Sequence, residues 1–319
     1  MRFLSVVLIA ATVLASCWTL LAAGDQDGSN AKRAAPPTKW ESRVTDVFFP
    51  DARKVLVGPR PAYAASSAKA DGASREAASE TQKGAGGTFA WSKLIDADEL
   101  QNEIKSLSTS LADAVKTQQG FLGGGSKKAR QSLSQLAAAF AILNEYDSEI
   151  RWKNQAAAAR DLFAKAGYNS KAATEATFRE AKSRSDDLAT LLRGETITPP
   201  ANVEPKNDWS KVSDLSPLML RLEAAQRDRI SAATSNTGEF KKNSAQLAHE
   251  SEIVAAFAEV TSRPGMENAD DEKFHGFAKG LQQSALDLRA AVKNDNYDSA
   301  RAAAGTMAKT CTNCHAEFR

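Results

Sequence analysis

Apolar residues recur every three or four positions through most of the chain after residue 88, which is the spacing of one face of an α-helix. The clearest stripe consists of Leu100, Ile104, Leu107, Leu111 and Val115. Runs of β-branched residues that would indicate strands are rare. Breaks rich in glycine, serine or asparagine, at residues 120–125 and 235–238, separate the helical segments. The pattern therefore predicts an all-α fold.

The helical pattern occurs twice along the chain. Trp91-Ser-Lys-Leu recurs as Trp209-Ser-Lys-Val, and four helical segments follow each copy in step. Within the third segment of each copy, Phe163-Ala-Lys recurs as Phe277-Ala-Lys. Such self-similarity indicates an internal repeat rather than one continuous array of unrelated helices.

Four amphipathic helices joined by short turns bury their apolar stripes most simply as an antiparallel bundle. We therefore predict two tandem four-helix bundles, over residues 89–197 and 208–319, with a proline-containing linker at Thr196–Asn207. We expect Asp98 and Ser216 to cap the first helix of each bundle, followed by Glu99 and Pro217 as the first helical residues.

The N-terminus has a different character. Residues 1–23 place one arginine ahead of an almost continuous apolar run, which is typical of an export segment. Three outcomes are compatible with it: cleavage near Ala22 and Ala23, lipidation at Cys17, or retention as an uncleaved membrane anchor. We rank plain export into the periplasm first. Residues 24–88 are rich in small and polar residues and are predicted to be a tether of low order.

Composition adds one exclusion. The chain has 41 Lys and Arg against 39 Asp and Glu, so its formal net charge is only +2. No general electrostatic attraction to nucleic acid follows from that balance, and we expect no nucleic-acid partner. In the run Arg221, Glu223, Arg227, Asp228 and Arg229 we expect a solvated helix face.

Cysteine and histidine are scarce, with three of each in the chain, and two of the cysteines and one histidine lie together at its end. Cys311, Cys314 and His315 form a C-x-x-C-H motif, the attachment signature of c-type haem. On a helix with about 100° per residue, Cys314 lies about 60° and His315 about 40° from Cys311. All three side chains therefore share one face, and we predict one covalent haem c inside the second bundle.

The ending Cys311-Thr-Asn-Cys314-His315-Ala-Glu-Phe318-Arg319 resembles the C-terminus of cytochromes c-prime and of the related cytochromes c-556. The resemblance covers residues 208–319 and implies a four-helix bundle. It further implies that Cys311 and Cys314 hold the haem by thioethers, that His315 is the proximal iron ligand, and that Arg319 lies beside the proximal ring. The first copy has no cysteine and is predicted to be free of haem.

The sixth iron position is open to two interpretations. The resemblance places the first helix of the bundle on the distal side, where Met219 is a candidate metal ligand together with His315. Ligation by Met219 would give a six-coordinate haem suited to electron transfer. If Leu218 or Leu222 fills the space instead, a five-coordinate iron would bind a small gas such as NO or CO. For His249 and His275 we expect positions on helix surfaces.

The predicted function is that of an exported monohaem cytochrome that transfers one electron; the alternative is a gas carrier or sensor. An enzymatic role is disfavoured because the expected distal helix offers no histidine for acid–base catalysis. Partners consistent with this prediction are a redox protein that the sequence does not identify, a small gas ligand, a membrane contact through the N-terminus and a second copy of the chain in a homodimer.

Overall fold

The computed structural model describes residues 89–319. The predicted export segment and tether lie outside the described residues. Eight helices of nine residues or more span the described part: α1 Ala97–Ala114, α2 Ser126–Glu145, α3 Ala156–Asn169, α4 Glu175–Arg193, α5 Leu215–Glu223, α6 Ser244–Thr261, α7 Glu272–Lys293 and α8 Tyr297–Phe318.

Shorter helical turns connect these helices. They are Trp91–Lys93, Gln118–Gly120, the π-helical Phe121–Gly125, Lys153–Gln155, Trp209–Val212 and Thr237–Lys242. Helix α5 continues without interruption through a π-helical segment, Ala224–Ile230, and a last turn, Ser231–Ala233. The prediction of an all-α fold is confirmed for residues 89–319. None of the helices in this range has the length and hydrophobicity of a membrane span.

The first helix of each copy begins earlier than predicted. Helix α1 follows Asp96 and helix α5 follows Asp214, so the caps expected at Asp98 and Ser216 are wrong. Neither aspartate caps its helix with its side chain. The Asp214 carboxylate instead accepts hydrogen bonds from Arg130 and Lys171, on the other side of the linker. At the start of α5, tertiary ion pairs therefore replace a local capping interaction.

The predicted apolar stripes form the core. All five residues of the stripe from Leu100 to Val115, which runs along α1 and ends at its C-cap, are buried, and so is Phe163 in α3. Helix α1 packs on α2, α2 on α3, α3 on α4 and α4 on α1. In the second half α5 packs on α6, α6 on α7 and α7 on α8, and α8 closes the set against the π-helical segment. The finer prediction of two tandem antiparallel bundles stays a prediction; we call residues 89–197 the first repeat and 208–319 the second repeat.

The two repeats share one continuous core. Helix α5 packs on α2 of the first repeat, and α1 packs on α6 of the second. The linker is held to the first repeat by Arg160, whose guanidinium donates hydrogen bonds to the Asn207 side chain and to the Glu204 carbonyl. The linker therefore lies against α3 rather than extending away from it.

A buried ion-pair network crosses the contact between the repeats. The Arg221 guanidinium donates two hydrogen bonds to the Glu103 carboxylate, at 2.7 and 2.9 Å, and a third of 2.7 Å to Glu250. Arg221 is only 5% exposed, so the expectation of a solvated face is wrong at this position. Arg221 is buried because of its position along the helix: it follows Leu218 by three residues and directly precedes Leu222, on the buried side of α5.

His249 belongs to the same network, and the expectation that it lies on a helix surface is wrong. Its ring nitrogens lie 2.6 Å from a Glu99 carboxylate oxygen and 3.2 Å from a Glu103 oxygen. Burial alone would lower the pKa of His249, but the hydrogen bonds with Glu103 and Glu99 outweigh it and raise the pKa above its usual 6.5. Burial opposes ionisation of Glu103 too, yet hydrogen bonds from Arg221 and His249 lower the pKa of that carboxyl to about 2.

We predict that Arg221→Met lowers the free energy of unfolding by about 3–5 kcal/mol, because it leaves two buried carboxylates short of a positive partner. As the control, Arg179→Met removes an exposed ion pair with Glu175 and should change the free energy by less than about 0.5 kcal/mol. Denaturant unfolding of the full chain measures both values. An equal decrease in the free energy of unfolding in the two variants would contradict the prediction that the buried network stabilises the fold more than an exposed ion pair does.

We predict that the stability lost in His249→Gln depends on pH. Because the folded-state pKa of His249 is raised, its stabilising contribution is complete below the unfolded value of 6.5 and disappears as the pH rises through the folded value. The difference in unfolding free energy between wild type and variant should therefore be larger at acidic than at alkaline pH. His275→Gln, which removes a histidine with no carboxylate partner in the described part of the chain, is the control; a pH-independent loss in His249→Gln would contradict the prediction.

Candidate functional site

A cleft opens between α5, α7 and α8 of the second repeat. Its cavity volume is about 240 Å³, and its mouth opens to solvent. Its walls are mostly apolar and include Leu222, Phe274, Phe277, Ala278 and Leu281. Such a lining suits an apolar ligand rather than a hydrated ion.

Helix α8 supplies the reactive side chains of the cleft. Asn296 caps the start of the helix, and its side chain accepts a hydrogen bond from the Ser299 backbone N–H. It then runs unbroken to Phe318, so the C-x-x-C-H motif keeps its helical spacing. The structure brings Cys311, Cys314 and His315 together in the lining of the cleft. Met307 is fully buried one turn earlier and does not line the cleft, consistent with a packing role.

Both cysteines are partly exposed free thiols. Burial raises the pKa of the Cys311 thiol, and the neighbouring Cys314 adds to the shift. Burial also raises the pKa of Cys314, with a further contribution from Glu317. Both groups are therefore neutral thiols at pH 7, open to the cleft and available to a ligand inside it.

Helix α5 forms the wall that the sequence assigned to the distal side. Met219 and Leu222 both line the cleft, whereas Leu218 is fully buried in the core and does not reach it. Of the two leucines considered for the distal position, only Leu222 is therefore in place. The cleft wall continues into the π-helical segment, a distortion that is frequent at functional sites, through Gln226 and Arg227.

One predicted site residue is not brought to the cleft. Arg319 is exposed beyond the end of α8 and is absent from the lining. The preceding Phe318 turns inward instead, with its ring centroid 5.4 Å from that of Phe274 and 6.3 Å from that of Phe277. The expectation that Arg319 lies beside the ligand is therefore not supported, and the aromatic residue before it packs against two phenylalanines that line the cleft.

The sequence reasoning missed the polar mouth of the cleft. Glu223, Gln226 and Arg227 line it, and Arg227 donates a hydrogen bond of 2.8 Å to Glu223. The signal was present, because Glu223 and Arg227 are spaced i, i+4 and follow Met219 by one and two helical turns. His249 and His275 are not in the lining, so neither is in a position to replace Met219.

The residues present fit a haem c. Covalent attachment needs two thiols at the C-x-x-C spacing and an adjacent imidazole, and all three line one wall of the cleft. An apolar macrocycle needs aromatic and aliphatic walls, which α5 and α7 supply. The thioether sulfur of Met219, on α5, is a second candidate iron donor besides the imidazole of His315 on α8.

Comparison with known proteins agrees with this geometry. No curated protein and no solved structure matches the chain significantly. A family model does match: residues 219–319 match the model described as Cytochrome C', a family that binds haem c. The match includes every residue that lines the cleft. The resemblance to cytochromes c-prime seen in the C-terminal motif is thus confirmed for this segment, and the second repeat is similar to cytochrome C'.

Proposed function

We propose that this protein is an exported monohaem c-type cytochrome that transfers single electrons. The observation that carries the proposal is the convergence of Cys311, Cys314 and His315 on one apolar cleft, with Met219 contributed by a second helix. The family match over residues 219–319 supports it, because the matched segment contains the whole cleft. Export is inferred from the apolar run in residues 1–23.

Cys311 and Cys314 would hold the haem through their neutral thiols. Each S–H would add across one vinyl group, sulfur to one carbon and hydrogen to the other, so that no oxidant or reductant is needed. His315 would supply an imidazole nitrogen to the iron. When bound, haem supplies a one-electron Fe(III)/Fe(II) couple, whose potential is set by the axial donors and by the polarity of the cleft.

The remaining lining residues control access and polarity. Phe274 and Phe277 line the cleft on α7, and Phe318 at the end of α8 packs against both, so this aromatic group limits water on the side of the motif. At the mouth, the ion pair between Arg227 and Glu223 keeps both charges near solvent. A site that is apolar inside and charged only at its mouth favours fast electron exchange at the edge over reaction with water inside.

We propose a carrier rather than a catalyst. Peroxidase-like chemistry needs a free acid–base group over an open iron. The carboxylate nearest to that role in the described lining is Glu223, and it is engaged by Arg227 at 2.8 Å. Gas binding is the second candidate, favoured by Leu222, which lies one turn from Met219 on the same wall and would cover an iron without ligating it.

We predict that the full chain, produced in a host that attaches haem to cytochromes, carries the mass of one haem. The Cys311→Ala, Cys314→Ala double variant should carry none covalently, because no thiol remains on α8. Cys17→Ala is the matched control and should keep the added mass, since it removes a cysteine of the N-terminal segment only. Intact-protein mass spectrometry distinguishes the three proteins; covalent haem retained in the double variant would refute the assignment.

We predict that the reduced protein has a low-spin, six-coordinate optical spectrum and that Met219→Leu converts it to a high-spin, five-coordinate form that binds CO. The reason is loss of the thioether donor without loss of volume. Met307→Leu, at a buried methionine outside the cleft, should leave the spectrum unchanged. A wild-type spectrum that is already high-spin would overturn ligation by Met219 and support the gas-binding candidate.

A further inference from the structure

Equivalent residues of the two repeats touch each other. The Trp-Ser-Lys starts place Trp91 and Trp209 at matching positions, and their ring centroids lie 5.9 Å apart. The same offset relates Glu103 to Arg221, which are 118 positions apart and form the buried bidentate pair. Contact between a residue and its own equivalent occurs where a two-fold axis passes between two copies.

Contacts away from these two pairs are reciprocal between helices, to within one helical turn. Gln135 on α2 donates a hydrogen bond of 2.8 Å to the Pro217 carbonyl, in the first turn of α5. Glu252 on α6 accepts one of 2.7 Å from the backbone N–H of Asp96, which precedes α1. Gln135 and Glu252 are equivalent, since each stands five residues before the phenylalanine of an Ala-Ala-Phe-Ala segment. The second helix of each repeat therefore holds the start of the other repeat's first helix.

Helix packing follows the same rule. Helix α5 of the second repeat packs on α2 of the first, and α1 of the first packs on α6 of the second. In a contact between identical copies, each contact of i with j is accompanied by one of j with i, and the structure has this relation within a single chain. The geometry thus describes a pair of copies joined covalently through the linker.

We infer that the haem-free repeat is a built-in partner of the haem repeat, occupying the place that a second copy of the haem repeat would otherwise take, and that the interface is specific for the unlike pair. Two haem repeats paired in this way would bring Arg221 against Arg221. Two copies of the first repeat would bring Glu103 against Glu103. Both side chains are buried, with 5% and 2% exposure, so either like pair would be strongly repelled.

Arg263 adds a second difference between the repeats at the tryptophan pair. Its guanidinium lies 4.7 Å from the Trp91 ring centroid and 5.7 Å from that of Trp209. Arg263 is six residues after Phe257, and the equivalent position, six residues after Phe140, is Tyr146. The cation over the tryptophans is thus supplied by the second repeat alone, and a pair of first repeats would lack it.

The surface that each repeat would offer to another copy is consequently covered by the other repeat of the same chain. A homodimer, one of the partners expected from the sequence, would not use this surface. The role assigned to the first repeat is independent of the haem chemistry, since the interface residues lie outside the cleft lining with α5 as the shared helix.

The test uses the full chain with a site for a specific protease inserted between Ala201 and Asn202, which are exposed in the linker. After cleavage of the matured protein, analytical ultracentrifugation and native mass spectrometry should find the two fragments together as a 1:1 unlike pair. Separate fragments, or haem fragments paired with themselves, would overturn the inference. Association is read from mass, so the result holds whether or not haem is attached.

Two variants in the cleavable chain test the charge specificity. Arg221→Glu should weaken fragment association at least ten-fold, whereas Arg179→Glu, which reverses an exposed arginine on α4, should leave it unchanged. If far-UV circular dichroism shows that Arg221→Glu has lost helix, Arg221→Gln decides, because it keeps a hydrogen-bond donor and should still weaken association ten-fold. Association as tight as in the wild type in the folded variants would contradict the specificity.

Discussion

The bidentate pair between Arg221 and Glu103 is the interaction on which the arrangement of this protein depends. A buried guanidinium is tolerated only if its positive charge is matched, and here carboxylates from both repeats surround it. Arg221 lies on α5, Glu103 on α1 and the second carboxylate, Glu250, on α6. The three charged side chains therefore fix these helices relative to one another. The charges thereby specify which helices meet, while the apolar stripes around them supply most of the burial.

Helix α5 connects this network to the candidate haem site. One side of the helix carries Leu218 and Arg221 into the contact between the repeats, and another presents Met219 to the cleft. Leu222 lines the cleft directly after Arg221. A short helix with both tasks has little freedom to shift, so the first repeat contributes to the site by holding the wall that faces His315. The first repeat is then part of the scaffold that supports the cleft of the second repeat.

Much of the fold could be predicted from the sequence because its signals are local. Helical spacing of apolar residues located the helices, and the C-x-x-C-H motif brought Cys311, Cys314 and His315 to one face of α8. Long-range contacts could not be predicted in this way. Arg221 and His249 look like surface residues in the sequence, since only the fold places carboxylates opposite them. The ion pair between Asp214 and Arg130, a residue 84 positions away, is another such contact.

The central claim is that iron is held in the cleft between α5, α7 and α8. Diffraction from crystals of the matured protein, recorded at the iron absorption edge, locates the metal without assuming a ligand. We expect one anomalous peak per chain, inside the cleft and at coordination distance from a ring nitrogen of His315. A peak beside His249 or His275, or no iron peak in the second repeat, would contradict the claim.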